Sequence, residues 1–415
     1  MEYGLIGEHL GHSFSPEIHN ALGPEPYVLQ EIPRGELAAF LRERPFKGIN
    51  VTIPYKEAVL PWLDALSPTA QLTGAVNTIV QENGRLTGYN TDVDGFAALA
   101  RHTGISLRDR QVVILGKGGA AKAVSVAARA LGAKSILQAV RQPQGPEQIP
   151  LAPSPQMQAA EVLVNATPVG MFPDGNAHLP DLGAMPALQG VLDCIYNPLQ
   201  SHLVLDAREK GIPAAGGLYM LVAQACRARE LFLSQELSPG TVDDAYTRLW
   251  SRKCNVVLCG MPSAGKSTVG RILAERTGRR FVDTDRLVEE KAGCRISAIF
   301  SREGEQAFRR LEAGAVAEIS TRQGLVIATG GGTVLAAGNL RQLKMNGRIF
   351  LLQRSLAHLM PTQDRPLSRS REDLAALYRV RMPLYRQAAD VCIDNDGDFE
   401  RTMDALLSEI LVDER

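Results

Sequence analysis

At 415 residues the chain is too long for one compact hydrophobic core, so two or three domains are expected and a small stapled scaffold is excluded. Hydrophobic residues make up 45% and charged ones 22%, a globular balance, and 45 basic residues offset 45 acidic ones, leaving no field to hold a polyanion or an acidic membrane surface. Cys194, Cys226, Cys254, Cys259, Cys294 and Cys392 lack the density of a disulfide framework and the spacing of a zinc site; with no basic leader and no long apolar run, the expectation is a cytoplasmic protein with neither nucleic acid nor membrane as partner.

Short aliphatic runs alternate with longer helical patterns along the whole chain: YGLIG, YVLQEI and KGINVT, then QVVILG, EVLVNAT and GVLDCIY, then NVVLCG, GLVIATG and GRIFLL. This alternation predicts α/β layering on mostly parallel sheets. Asn83-Gly84, between NTIVQE and RLTGYN, predicts a hairpin that ends the first sheet region, because both residues accept positive φ. QVVILGKGGAAKAV passes from strand to helix through Gly116, Gly118 and Gly119, a turn where dinucleotide phosphates could meet a helix N-terminus, although an ordinary strand-to-helix turn reads the same way. The next strand, AKSILQAV, ends at Arg141 and not at an acidic residue, which favours a 2′-phosphate and hence NADP(H); ordinary exposed charge is the alternative. A helical pattern from about Gly217 to Leu233, the SQELSPG break and a helical VDDAYTRLW lead to a main boundary near Trp250, after which SRK is expected to open a new strand.

Seven further segments, GHSFSPEIHN, GINVTIPYK, GAVNT, GYNTDVDG, VNATPVGM, DCIYNP and GLYMLVAQ, stand in an order and spacing that resemble shikimate dehydrogenase over residues 1 to about 240. The resemblance implies a two-lobed enzyme: a substrate lobe from 1–95 plus a returning 217–245, and an NADP-binding Rossmann lobe from 96–216. By position it implies that Ser13, Ser15, Thr52, Asn77 and Gln224 hold the hydroxyls and carboxylate of the substrate with Tyr196 nearby. Ala120 and Gly217 would join the three glycines and Arg141 at the cofactor, and Lys56 and Asp92 would form the catalytic pair. The residue types suit the chemistry. Hydride reduction of a ring ketone leaves an alkoxide, which an ammonium both neutralises and protonates, and a carboxylate beside the amine stabilises its charged form. Plainer readings stand beside these: an exposed lysine at 56, an N-cap at Asp92 or Thr91, helix caps at Ser13 and Ser15, and a structural or surface histidine at His19.

Further along, NVVLCGMPSAGKST fits GxxxxGK[ST] from Gly260 through Gly265 to Ser267, between an apolar strand and the helical run VGRILAERTG. Backbone amides up to Thr268 would converge on phosphate oxygens, with Lys266 reaching the outer phosphates and the Ser267 hydroxyl facing Mg2+. FVDTD is expected to place Asp283 and Asp285 on one side at the end of a strand, one for the metal and one for a substrate hydroxyl. With Arg309 in GEQAFRRLE, Gly330 to Gly332 in IATGGG, Arg365 in DRPLS and Arg381 in RVRMPLY, the series resembles shikimate kinase over roughly 253 to 412. That resemblance implies a P-loop α/β/α domain on a parallel sheet over 255–415, after a linker at 246–254. It implies Asp283 at magnesium, Asp285 activating the acceptor hydroxyl, Arg309 and Arg381 clamping a carboxylate with Gly331 allowing close backbone approach, and Arg365 in a lid over the transferring phosphoryl group. Any one of these arginines alone also suits a solvated surface charge.

Jointly the resemblances imply a bifunctional enzyme that reduces 3-dehydroshikimate with NADPH and phosphorylates shikimate from MgATP at its 3-hydroxyl. Two rivals are a catalytically silent metabolite sensor, against which the retained Lys56, Asp92, Lys266, Asp283 and Asp285 argue, and a quinate dehydrogenase joined to another small-molecule kinase, which explains Ser13 and Ser15 less well. The expected partners are small molecules, and no oligomeric state is read from the sequence.

Overall fold

The computed structural model describes residues 1–415 apart from 12, 174–178, 362–369 and 412–415. It divides into two compact units, Met1–Leu249 and Trp250–Arg415.

The first unit opens on a mixed sheet in the order Tyr27–Glu31, Tyr3–Gly7, Gly48–Val51, Thr78–Glu82, Arg85–Tyr89, Ala65–Leu66. The first three strands run parallel, and Thr78–Glu82 lies antiparallel to both of its neighbours. The hairpin turns at Asn83 and Gly84, with φ of 49° and 75°. Ile6, Ile49, Ile79 and Leu86 are buried together against Phe40, Phe46 and Tyr55, which is what makes these short runs strands with an inward face. A second sheet, parallel throughout, has the order Ala214–Ala215, Gly190–Asp193, Val162–Asn165, Gln111–Leu115, Ser135–Val140, Gln148–Pro150. Its chain order reverses on either side of Gln111–Leu115, so the loops after that strand and after Val162–Asn165 splay apart and leave a crevice at the strand ends.

The boundary expected between residues 95 and 96 falls inside one helix, Asp92–Thr103, which runs unbroken across it. The helix Leu218–Leu233 returns to the first sheet: a side chain at Gly48 would run into the Phe232 ring, and Phe232 stacks on Tyr3 at 5.4 Å. It crosses Asp92–Thr103 at Gly95, where an added Cβ would lie 2.6 Å from the Met220 carbonyl and 2.9 Å from Gln224 Cβ. That close approach, open only to glycine, brings Gln224 over the start of the neighbouring helix. The helix Thr241–Lys253 is fastened by Asp243, which accepts from Tyr219 Oη at 2.8 Å, and by Tyr246 against the Tyr219 and His102 rings. It continues through Lys253, so the expected linker at 246–254 is helical to Lys253 and the next strand begins at Asn255 and not at SRK.

In the second unit five parallel strands take the order Arg280–Asp283, Leu325–Ala328, Asn255–Cys259, Gly347–Gln353, Val391–Asp394. Alternate residues of the central strands feed two cores, with Val257, Ile327, Ile349 and Leu351 on one face and Val256, Leu258, Val326 and Phe350 on the other. Burial on both faces explains the continuous apolar runs. The strand expected to carry both aspartates stops at Asp283. The Asp283 carboxylate accepts the amides of Asp285 and Arg286 at 3.0 and 3.3 Å and so caps the helix Thr284–Ala292, placing Asp285 in its first turn. No helix among the described residues is long and apolar enough to cross a membrane.

Candidate active sites

In the first unit, Lys56 lies in the turn after the strand Gly48–Val51. Its backbone carbonyl accepts the Val76 amide at 2.7 Å, and the preceding Tyr55, 2% exposed, donates its hydroxyl to the Ile32 carbonyl at 2.5 Å. With the turn held this way, Lys56 Nζ sits 2.6 Å from Asp92 Oδ2, the side chains being 20% and 10% exposed. Asp92 is the first residue of its helix, and neither it nor Thr91 caps that helix through a side chain. The carboxylate instead takes Lys56 on one oxygen and Asn77 Nδ2, at 2.9 Å, on the other. A helix N-terminus adds favourable potential for a carboxylate at that point.

Asn77 joins the group together. Its Oδ1 accepts the Thr91 amide at 2.8 Å, and its Nδ2 reaches Thr91 Oγ1 at 3.0 Å and Gln224 Oε1 at 3.5 Å. Ser13 does meet the start of its helix: its Oγ accepts the amide of Ser15, the first helical residue, at 3.2 Å and donates to Ser15 Oγ at 3.1 Å, while Phe14 at the N-cap position makes no side-chain cap. His19 is a buried structural residue stacked on Tyr27 at 3.9 Å, its pKa lowered to about 3, chiefly by burial. A cavity of about 270 Å3 is lined by Ser13, Ser15, Thr52, Lys56, Asn77, Asp92, Ala120, Tyr196, Gly217 and Gln224. At Gly217 an added side chain would strike the Cys194 carbonyl, so only glycine permits this wall.

Gly116, Gly118, Gly119 and Arg141 are not among the residues lining that cavity. Gly116 N donates to the Ala139 carbonyl at 2.9 Å, so the glycine turn and Arg141 leave adjacent strand ends. Gly116 has φ of 104°, a Cβ at Gly118 would meet nothing within 4 Å, and the helix Gly119–Ala130 begins there. Such an open turn at a helix N-terminus fits a dinucleotide pyrophosphate, and exposed Arg141, without an ion pair among the described residues, fits a further phosphate.

Motif spacing misses Asn50, although an amide embedded in the apolar GINVT is itself a signal. Asn50 lines the cavity itself, and its Oδ1 accepts the Tyr27 hydroxyl at 2.7 Å while its Nδ2 donates to Thr78 Oγ1 at 3.0 Å. It also misses Asp193 in DCIYNP. Fully buried, Asp193 accepts from Asn165 Nδ2 and the Ile195 amide, both at 3.0 Å, and from Ser201 Oγ at 2.5 Å, tying together the two loops that carry Thr167 and Tyr196. Burial pushes its carboxyl up to about 7, against the opposing pull of these three donors. Because the folded state holds the proton more tightly than the unfolded one, the stability contributed is present at acid pH and is lost as pH rises from about 4 towards 7. In Asp193→Asn this fall, at most about 4 kcal/mol, should disappear. Thermal midpoints for loss of dehydrogenase activity at pH 5 and pH 8 check it; equal pH sensitivity in wild type and variant would contradict it.

In the second unit the phosphate cradle follows the central strand, with Gly260, Ser263 and Gly265 at φ of 139°, 64° and 83°. Lys266, 6% exposed, opens the helix Lys266–Thr277 and donates to the Gly260 and Met261 carbonyls, both at 2.9 Å. Ser267 Oγ donates to Asp283 Oδ2 at 2.7 Å, a pair of hard oxygen donors of the kind Mg2+ takes alongside nucleotide phosphates. A cleft of about 490 Å3 brings together Asp283, Asp285, Arg309, Gly331 and Arg381, with Arg295, Ser297 and Phe300 among its other walls. Arg381 Nη1 donates to the Gly331 carbonyl at 3.1 Å, and Tyr385, one helical turn on, donates to the same oxygen. Close approach falls on the flanking glycines and not on Gly331: Asp285 Oδ1 packs against Gly330, and a Cβ on Gly332 would lie 2.5 Å from Arg309 Nη1. Arg365 lies outside the described residues. Glu312, within GEQAFRRLE but not singled out from it, is 1% exposed and holds Arg309 Nη1 at 2.8 Å while accepting Thr333 Oγ1 at 2.7 Å. Its place three residues after Arg309, on the same helical face, was the available signal.

Comparison with known proteins gives two family matches. Residues 5–79 match the shikimate dehydrogenase substrate binding domain and residues 262–411 match shikimate kinase. Among curated relatives, a shikimate dehydrogenase (NADP(+)) of Chlorobaculum tepidum is 41% identical over 269 residues, covering 57% of this chain and 91% of that protein. Among solved structures, a Thermus thermophilus shikimate 5-dehydrogenase in complex with NADP(H) and shikimate aligns at TM-score 0.54 and 35% identity, covering 60% of this chain and 99% of the other. A chorismate mutase/shikimate 5-dehydrogenase fusion protein from Clostridium acetobutylicum aligns at TM-score 0.55 and 33% identity, covering 60% and 96%.

Proposed function

This chain belongs to the shikimate dehydrogenase family and carries a shikimate kinase domain behind it, which makes it a bifunctional shikimate-pathway enzyme, and we propose that it reduces 3-dehydroshikimate with NADPH and phosphorylates the resulting shikimate from MgATP at the 3-hydroxyl. One observation carries this reading: each cavity pairs an acid–base group with polar clamps suited to a hydroxylated carboxylate, Lys56–Asp92 with Ser13, Ser15, Asn77 and Gln224 in one, and Asp285 with Arg309 and Arg381 in the other.

In the reductive step NADPH, when bound at the Gly116 turn, supplies the hydride. Lys56 holds its ammonium toward the carbonyl oxygen on which charge develops, and gives that oxygen a proton as the alcohol forms. Asp92 keeps the ammonium in place and offers an acceptor to the new hydroxyl. Asn77 holds Asp92, and Gln224 and the serine pair orient the ring substituents so that one face is presented. In the kinase cleft, Ser267 and Asp283 would hold magnesium, which would supply charge neutralisation at the phosphates. Asp285 takes the hydroxyl proton as the new O–P bond forms and ADP leaves, while Arg309, fixed by Glu312, and Arg381 hold the carboxylate.

The test is one assay on the whole chain: 3-dehydroshikimate with NADPH or NADH, then ATP and Mg2+, following both nucleotides and the products. Nicotinamide oxidation followed by ADP formation is expected, with NADPH preferred. No turnover of 3-dehydroshikimate, or ATP consumption indifferent to shikimate, would overturn the reading.

A further inference from the structure

Arg354 is the first residue beyond the strand Gly347–Gln353, which runs beside the strand leading into the phosphate cradle, with Leu351 opposite Cys259. The two strands are in close contact where the cradle opens: a Cβ on Gly260 would lie 2.8 Å from the Leu352 carbonyl. From that strand end the Arg354 guanidinium turns to the other end of the cradle, where a Cβ on Gly265 would lie 3.9 Å from its Nη1. Asn395 flanks the same glycine, its Nδ2 donating to the Ala264 carbonyl at 2.7 Å. The cradle is thus braced by an amide and faced by a cation.

That cation has no counterpart among the described residues. Arg354 Nε is buried without a hydrogen-bond partner, and the guanidinium makes no ion pair with any of them. Its neighbours in sequence are engaged elsewhere: Gln353 Oε1 accepts from Arg386 at 3.3 Å, the Ser355 amide donates to Asp396 at 2.8 Å, and His358 Nδ1 lies 3.0 Å from that carboxylate. A buried donor left unmet costs stability, and the acceptor of a bound ligand is one way a folded protein completes it. The acceptor that belongs beside a GxxxxGK[ST] loop is a phosphate oxygen, to which the planar guanidinium fork presents parallel donors.

We propose that Arg354 is a ligand of the nucleotide phosphates in the kinase unit, a second cation beside Lys266 contributed from the neighbouring strand end. This rests on the kinase reading of the cradle and adds a residue to it. The ligand class is a nucleoside di- or triphosphate, held through its phosphates and not its base.

Calorimetric titration of the full chain with ADP and, separately, with inorganic pyrophosphate tests the assignment. Arg354→Ala should weaken both by about 10- to 100-fold, and Arg354→Lys should regain part of the loss. The dehydrogenase rate should be unchanged, and the thermal midpoint without nucleotide should not fall, because the substitution removes an unmet buried donor. Wild-type affinity in Arg354→Ala would overturn the proposal, as would a loss for ADP with pyrophosphate unaffected, which would place Arg354 at the base. Failure of the wild-type chain to bind ADP is a separate result that removes the kinase reading itself.

Discussion

Replacing Lys56 with alanine should lower the dehydrogenase kcat by about 1,000-fold or more and leave ATP-dependent phosphorylation of shikimate by the same chain unchanged. The size follows from the two duties placed on one group. Lys56 Nζ, 2.6 Å from Asp92 Oδ2, is the cation that the Asp92 carboxylate holds at the cavity wall, so its loss removes both the proton donor and the charge that meets the nascent alkoxide. A 1,000-fold loss corresponds to about 4 kcal/mol of barrier, within reach of such a combination. Alanine also strands a nearly buried carboxylate, with Asn77 as its remaining partner in the pair's neighbourhood, so the unit should lose stability as well. The double variant Lys56→Met with Asp92→Asn separates these effects: it should regain thermal stability without regaining turnover. Recovery of turnover with stability would show that Lys56 acts only by supporting the fold.

Lys266→Ala should do the reverse, cutting shikimate phosphorylation by about 1,000-fold while nicotinamide oxidation proceeds as before. Lys266 starts the helix behind the cradle and points its ammonium at the Gly260 and Met261 carbonyls, so it is held along the loop where phosphate charge gathers. At 6% exposure its slot takes a slender ammonium stem. Lys266→Arg should therefore restore little activity, since a guanidinium does not match a point charge in a confined site. Parallel assays of both reactions on each variant check the division of labour. If either alanine variant lost both activities with its circular dichroism intact, the assignment of separate sites would be wrong.

Much of the architecture was legible because parallel strands buried on both faces must be continuous apolar runs, and NVVLCG, GLVIATG and GRIFLL each became a strand of the second unit's sheet. Asn83-Gly84 was legible for an equally local reason, the low cost of positive φ at both residues. What misled was also local. FVDTD reads as strand to its end, but the Asp283 side chain reaches the amides of Asp285 and Arg286 and turns the chain into a helix. SRK reads as a strand opening, yet the last turn of Thr241–Lys253 extends across it.

Local signals were enough for the element types, the two glycine-rich strand-to-helix turns and the residue kinds suited to hydride and phosphoryl chemistry, since periodicity, turn preference and motif spacing act over a few neighbouring residues. The use of each polar group was settled by the folded chain alone: that Asp92 binds Lys56 and does not cap its helix, that Glu312 fixes Arg309, that Asp193 joins two loops, and that Arg354 faces the cradle with its buried Nε unmet. A buried polar atom finds its complement among residues tens or hundreds of positions away, as Gln224 does beside Asn77. Long-range packing makes that choice, and no short stretch of sequence carries it.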